Sequence, residues 1–358
     1  MKTRFPGYLI AGMLLVLAAS GCARQYAPPG PGPTEPALTL DQGHSPPEGV
    51  TPRPITTGSL APVRELRGDF TTEDGLVLPL RAWLPQGSPR AVILALHGFN
   101  DYSNAFSAPG RAWASQGIAV YAYDQRGFGE APHTGLWPGA EVLASDVAAA
   151  AAVLRRRYPG TPLFLLGESM GAAVLVVAET SPEPPDADGL ILSAPAVWAS
   201  WTQPWYQRAG LWVALRLFPG FKPEPRGLGI QASDNIEMLR ELGRDPLVIK
   251  QSRIDTVAGL VDLMSQALEA APQVHRPTLV LYGEKDEVVP ADPVRDFWRE
   301  MPKSNARLAL YDNGWHLLLR DLDAERVIGD TATWMADPKA PLPSGAEAQG
   351  DTFAAAEE

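Results

Sequence analysis

At 358 residues, 45% hydrophobic and 20% charged, the chain has ordinary globular composition and length for one large domain or two small ones. Its formal net charge of −11 argues against nucleic acid as a partner. The 36 prolines exceed what a compact fold uses, and they are unevenly placed. Residues 1–21 read as a cleaved secretory signal. Lys2 and Arg4 form a basic start, Tyr8–Ala19 an apolar stretch and Ala19-Ser20-Gly21 a small-residue exit. The apolar stretch falls well short of the about 20 residues that a membrane-spanning helix needs. Cys22 follows and is the only cysteine, so it has no internal disulfide partner.

Residues 23–62 hold 10 prolines and few large apolar residues. They read as a tether of polyproline character rather than a domain, with an extended reach on the order of 120 Å. Beyond it, strands are expected at Val63–Phe70, Leu76–Leu84, Ala91–Leu96, Ala119–Tyr123, Leu163–Leu166, Gly189–Leu192, Thr278–Tyr282 and Arg307–Tyr311. Helices are expected at Asn104–Gln116, Glu141–Tyr158, Met170–Glu179, Pro293–Glu300 and Leu322–Ala336. The first two strands pair as a hairpin around Glu73-Asp74-Gly75. The rest alternate with helices, which requires crossovers and a mostly parallel sheet of eight strands with helices on both faces.

The alternation breaks at about 196–275, too long for a structureless loop, so a helical cap is inserted there. Within it, Trp198, Trp201, Trp205, Tyr206, Trp212, Phe218 and Phe221 fall inside a short span. Most of these rings are expected to pack the cap onto the core. The alternative is an acyl-chain channel or interfacial surface, with Trp198, Trp201, Trp205 and Trp212 as candidate substrate-binding residues. The catalytic unit spans 63–336, and the Pro- and Ala/Glu-rich residues 337–358 read as a disordered tail.

The chemistry centres on Gly167-Glu168-Ser169-Met170-Gly171, a G-x-S-x-G between a strand and a helix. A side chain at either flanking glycine would collide with neighbouring backbone in so sharp a turn. Ser169 is the candidate nucleophile, above a helix N-terminus with free N–H groups. Its base must be one of five histidines. His44 lies in the Pro-rich stretch, His97 shapes a loop, His133 sits among Gly and Pro, and His275 precedes a strand. His316 follows the last strand, completing the order Ser…Asp…His of an α/β-hydrolase. Asp286, just past the Thr278–Tyr282 strand, is the candidate orienting acid. Glu284 and Glu287 are its surface alternatives and Asp312 reads as a turn residue. The backbone N–H groups of Phe99 and Met170 are the expected oxyanion donors.

His97-Gly98-Phe99-Asn100-Asp101, Asp124-Gln125-Arg126-Gly127-Phe128-Gly129, Gly167-Glu168-Ser169-Met170-Gly171, Gly283-Glu284-Lys285-Asp286 and Gly314-Trp315-His316 stand in order over about 65–336. In these segments the chain resembles the monoacylglycerol lipase and lysophospholipase branch of the serine α/β-hydrolases. The resemblance implies the α/β-hydrolase fold with a cap and a Ser169–Asp286–His316 triad. It departs from the family at Asn100, where Gly is common, and at Phe128 and Glu168, where His is common. Glu168 places a carboxylate beside the nucleophile, to tune the site or to face away. Asp245-Pro246-Leu247 matches a segment of the family's caps, with Asp245 read as a helix-start residue.

Ala19-Ser20-Gly21-Cys22 also resembles a bacterial lipobox, which implies cleavage before Cys22 and lipid on its thiol and new amine. Ala23 in place of Asp then favours the outer membrane of the cell envelope. The function expected is a membrane-anchored serine ester hydrolase acting on a monoacyl lipid, such as a monoacylglycerol or lysophospholipid. A short-chain carboxylesterase, an acyltransferase or an amidase uses the same residues. A serine argues against the dehalogenases and epoxide hydrolases of this fold, whose nucleophile is a carboxylate. A non-catalytic envelope binding protein is the rival from another class. No cofactor or metal is implied, since neither H-E-x-x-H nor a cysteine cluster is present. Nothing in the sequence sets the oligomeric state.

Overall fold

The computed structural model describes residues 24–41, 62–224, 229–349 and 353. The expected signal peptide, Cys22 and residues 42–61 of the tether lie outside the described residues. The fold is an α/β-hydrolase, built on a sheet ordered β1-β2-β3-β5-β4-β6-β7-β8-β9. The strands are β1 Ala37–Asp41, β2 Arg64–Thr71, β3 Val77–Leu84, β4 Ala91–Leu96, β5 Ile118–Tyr123, β6 Leu163–Glu168, β7 Gly189–Ser193, β8 Thr278–Gly283 and β9 Ala306–Tyr311. From β5 to β9 every pairing is parallel, while β1, β2 and β3 join by antiparallel pairing. All residues of β4, β5, β6, β7 and β8 are buried, as continuous apolar runs covered on both faces must be. The helices are α1 Ser107–Ser115, α2 Ala140–Arg157, α3 Met170–Glu179, α4 Trp205–Leu217, α5 Ile236–Arg244, α6 Ile254–Ala270, α7 Ala291–Glu300 and α8 Ala324–Ala336.

Among the described residues the sheet has nine strands rather than eight, and the ninth comes from the expected tether. In β1, Leu38 is buried opposite Phe70, and Thr39 and Leu40 lie opposite Asp69 and Gly68. Gly68 permits this approach, because a Cβ there would lie 1.9 Å from the Thr39 carbonyl oxygen. Upstream, the Gly32 and Thr34 N–H groups each donate at 2.8 Å to the carbonyls of Asp74 and Glu73. Gly30 N–H donates at 2.7 Å to the Asp74 carboxylate. Ala27 N–H reaches the Trp137 carbonyl at 3.0 Å. Residues 24–41 are therefore not a free tether. A proline-rich chain keeps few N–H groups, and here those of Gln25, Ala27, Gly30, Gly32 and Thr34 find fixed acceptors on the rest of the fold.

The expected tail is corrected in the same way. Leu342 and Ala346 are buried, Arg307 pairs with Glu347, and the Phe353 ring lies 5.5 Å from that of Tyr282. The cap is also shorter than 196–275. Helix α6 buries Leu263, Met264 and Ala267 in the same core as α3, so the inserted part ends near Arg253. Gly259 lets that helix sit close to Trp137, where a Cβ would lie 2.4 Å from the ring, a role that its amphipathic pattern alone does not separate from that of a cap helix.

Candidate active site

Ser169 stands between β6 and α3 with φ 54° and ψ −112°, a conformation uncommon outside glycine. Its neighbours make the turn possible. A Cβ on Gly167 would lie 2.4 Å from the Ala172 nitrogen, and one on Gly171 would lie 2.2 Å from the Leu96 oxygen. The collision expected at both glycines is thus with backbone, which cannot step aside. Ser169 N–H donates to the Ser193 carbonyl at 2.9 Å, holding the turn on the adjacent strand end.

His316 and Asp286 meet across two loops. The Asp286 Oδ2 lies 2.8 Å from His316 Nδ1, while its Oδ1 accepts the N–H groups of Val288 and Val289 at 2.8 and 2.9 Å. Both side chains are buried. The carboxylate is aimed by its own loop, and Nδ1–H donating to it leaves Nε2 to accept a proton. Gly283 and Gly314 bring the loops together, since a Cβ on Gly283 would lie 2.4 Å from the Gly314 carbonyl. Glu284 and Glu287 are exposed, and Glu287 is engaged by Gln231 N–H. Asp312 accepts Asn313 N–H at 3.0 Å in an exposed turn, as expected. His275 is exposed, and His44 lies outside the described residues.

Opposite the elbow, Gly98 faces Ser169, and a Cβ on it would lie at ordinary contact distance, 3.4 Å, from the serine Cβ. The loop after β4 is held by His97, which is fully buried. Gln125 N–H donates to His97 Nε2 at 2.9 Å, and His97 Nδ1 then donates to the Gly98 carbonyl at 2.8 Å. Burial lowers the imidazole pKa and keeps it neutral, which this pattern requires. Asn100 has φ 67°, in the left-handed region that glycine and asparagine tolerate best. That explains why it can stand where the resembled family favours Gly. Among the described residues, neither Phe99 N–H nor Met170 N–H is donated to a backbone carbonyl outside the regular elements. Met170 begins α3, where N–H groups have no intrahelical acceptor.

Glu168 does not face solvent. It is buried and accepts from Arg320 at 2.7 Å, and Arg320 also meets Asp101 at 2.7 Å. One guanidinium therefore joins the loop of Phe99, the elbow of Ser169 and the loop of His316. Burial opposes its charge, but the two carboxylates prevail and hold it protonated more firmly than an ordinary arginine. Sequence reading missed Arg320, because a charged residue four places after His316 carries no local sign of burial.

The cap clamps two of these loops. Ile249 N–H donates to the Asn100 carbonyl at 2.9 Å, Asn100 Nδ2 to Ser252 at 2.8 Å, and the Tyr102 hydroxyl to Asp245 at 2.7 Å. Asp245 is thus a C-terminal cap residue of α5 that ties cap to core, not a helix start. On the other side, Leu317 N–H donates to the Ala232 carbonyl, and Ser233 Oγ to Asp321 at 2.6 Å. Asp321 also accepts Trp315 N–H at 2.8 Å.

The cap rings do not pack as expected. Trp198 is half-buried, whereas Trp201, Trp205, Tyr206, Trp212, Phe218 and Phe221 are exposed. Helix α4 buries none of its residues.

A family model described as serine aminopeptidase, S33 (Hydrolase_4) matches residues 87–323. The monoglyceride lipase of Homo sapiens is 24% identical over 279 residues, covering 77% of this chain and 90% of the human protein. The monoacylglycerol lipase of Mycolicibacterium smegmatis is 24% identical over 269 residues, covering 74% and 95%. Among solved structures, a monoacylglycerol lipase of Paleococcus ferrophilus superposes with a TM-score of 0.57 at 23% identity, covering 72% of this chain and 98% of that one.

Proposed function

The chain belongs to the serine aminopeptidase S33 family and is a serine hydrolase, and from that premise we propose that it cleaves esters of monoacyl lipids, monoacylglycerols foremost. The observations that support the reading are Asp286 on His316 Nδ1 and, separately, a Ser169 held at an elbow whose flanking positions accept only glycine. The substrate class is supported by relatives that carry the name monoglyceride or monoacylglycerol lipase over most of both chains.

In this reading His316 Nε2 takes the Ser169 proton as Oγ attacks the ester carbonyl carbon. Asp286 keeps the proton on Nδ1 and stabilises the imidazolium. The Phe99 and Met170 N–H groups receive the oxyanion, a contribution of about 10²–10³ in turnover for each such donor. The imidazolium then protonates the departing alcohol. Water, deprotonated by the same nitrogen, attacks the acyl-enzyme and frees Ser169. The cap-bound loop at 98–102 holds the first donor while the acyl group enters and leaves.

Cys22 is read as the lipid-bearing residue, which would hold the enzyme at a membrane of the cell envelope. A short-chain carboxylesterase is the second reading, favoured by the outward-turned cap rings, which do not by themselves form an acyl wall. One series separates the two. Monoacylglycerols of two to about twelve acyl carbons should give catalytic efficiency that rises with length, by at most about 0.8 kcal/mol per methylene. A flat or falling series selects the short-chain esterase. Absence of labelling by a fluorophosphonate would remove both.

A further inference from the structure

The stretch Pro28-Pro29-Gly30-Pro31-Gly32-Pro33-Thr34 has the composition of a linker, yet it bonds as a fitted part. Of these residues only 30, 32 and 34 keep an N–H, and all three donate to one place, the β2–β3 turn at Glu73 and Asp74. The prolines between them have no N–H to leave unpaired, and their fixed φ lowers the chain entropy lost on docking. Gly30 is required by the contact, since a Cβ there would lie 2.3 Å from the Asp74 carbonyl oxygen and 2.7 Å from the Leu76 nitrogen. Upstream, Tyr26 and Ala27 N–H meet Trp137, Gln25 N–H reaches Asp255, and Arg24 pairs with Asp262.

Two of these docking points, Asp74 and Trp137, bear on one loop, residues 124–139 between β5 and α2. Asp74 binds Arg126 with both carboxylate oxygens, at 2.7 and 2.8 Å, and one of those oxygens also accepts Gly30 N–H. Trp137 stands near the other end of the loop. The inner side of the same loop holds the segment that carries Phe99. Gln125 grips His97 through its backbone N–H and its side-chain amide, at 2.9 and 2.8 Å. Asp124 accepts Ser103 N–H at 2.9 Å, and the Phe128 ring meets those of His97 and Phe99 edge-on at 5.6 and 5.5 Å. Residues 24–34 therefore fasten, from outside, the loop whose inner side fixes both flanks of Phe99.

We propose that residues 24–34 are a positioning strap for catalysis, holding the 124–139 loop so that Phe99 N–H stays aimed at the developing oxyanion. The proposal rests on the reading of Phe99 N–H as an oxyanion donor. The strap acts through Gln125, His97 and Phe128 rather than by touching the ester. Its effect is on geometry at the reacting carbonyl, where a displacement of about 1 Å costs up to about 100-fold in rate.

The test compares the full-length protein with two variants on a dissolved aryl ester in detergent, so that attachment to a membrane does not enter. One variant lacks residues 24–34, and the other carries Gly30→Ala, which drives a Cβ into the Asp74 carbonyl. Both should lower kcat, the deletion by about 10- to 100-fold, with KM within about twofold of wild type, since an oxyanion donor acts in the transition state. Amide hydrogen exchange over 97–102 and 125–137 should quicken in both, with circular dichroism unchanged. Should the deletion fail to fold, the same readings on Gly30→Ala decide. Unchanged kcat with unchanged exchange overturns the strap and leaves the Phe99 reading standing. Faster exchange with unchanged kcat overturns the reading of Phe99, and the proposal with it. A lower kcat without faster exchange at 97–102, or a rise in KM alone, places the effect elsewhere and also overturns the proposal.

Discussion

Arg320 donates to Glu168 at 2.7 Å from a position four residues beyond His316, and Glu168 is the residue immediately before Ser169. The loops of the proposed base and nucleophile are therefore joined by a buried charge pair, with Asp101 as its third member. Replacing Arg320 by Met keeps much of the volume but strands two buried carboxylates. Stability should fall by about 3–5 kcal/mol, read as a lower urea midpoint. Glu168→Gln, which keeps an acceptor for Arg320, should cost clearly less. Equal losses in the two variants would show that the pair is not what joins these loops.

Ser169 has a positive φ, so its conformation and its chemistry are separable. Ser169→Ala should abolish ester hydrolysis and fluorophosphonate labelling while leaving stability near wild type. Ser169→Gly should be equally inactive but more stable by about 1 kcal/mol, because glycine adopts this conformation without strain. A Ser169→Ala protein with a tenth of wild-type turnover would sink the nucleophile assignment.

Asp286 and Asp312 offer a matched pair near the same histidine. Asp286→Asn should cut turnover by about 10⁴ through loss of the imidazole's orientation and charge partner. Asp312 lies in an exposed turn, and its Asn variant should lose less than twofold in turnover, in keeping with a surface change. Steady-state rates on one soluble ester decide between them.

Asp321 is pushed up to about 6, chiefly by burial and further by Asp234 and Glu168, against the hydrogen bonds from Ser233 and Trp315 N–H. Its usual carboxylate value lies near 3.8. A raised carboxyl pKa means that the folded state holds the proton more tightly than the unfolded one. Its contribution to stability is therefore lost as pH climbs from about 4 to 6, on the order of 2 kcal/mol. Asp321→Asn has no such titration, so the variant should gain on wild type across that window. Urea unfolding at pH 4, 5, 6 and 7 measures the difference, and a constant gap would refute it.

Leu38 tests the docked N-terminal segment. Leu38→Ala removes the buried side chain of β1 and should cost about 2 kcal/mol, seen as a lower thermal midpoint. An unchanged midpoint would return residues 24–41 to the status of a free tether.

Local patterning determined most of the fold. The runs Ala91–Leu96 and Met170–Glu179 are strand and helix to the residue, because continuous apolar stretches bounded by Gly and polar turns leave one solution. The elbow was legible too, since its glycines answer to backbone collisions within a few residues of Ser169. His316 could be singled out by chain order and Asp286 by its place just past a strand end, but their meeting at 2.8 Å depends on Gly283 and Gly314 drawing two strand ends together. What escaped the sequence was long-range. Proline-rich residues 24–41 look unfoldable until Glu73, Asp74, Trp137 and Asp255 supply acceptors from elsewhere. Arg320 looks like any surface arginine until two distant carboxylates enclose it. The cap aromatics look like core until the tertiary structure turns them outward. Composition and period fix which stretches must hide from water, but a buried charge or an exposed ring is set by partners far along the chain, which only the folded arrangement selects.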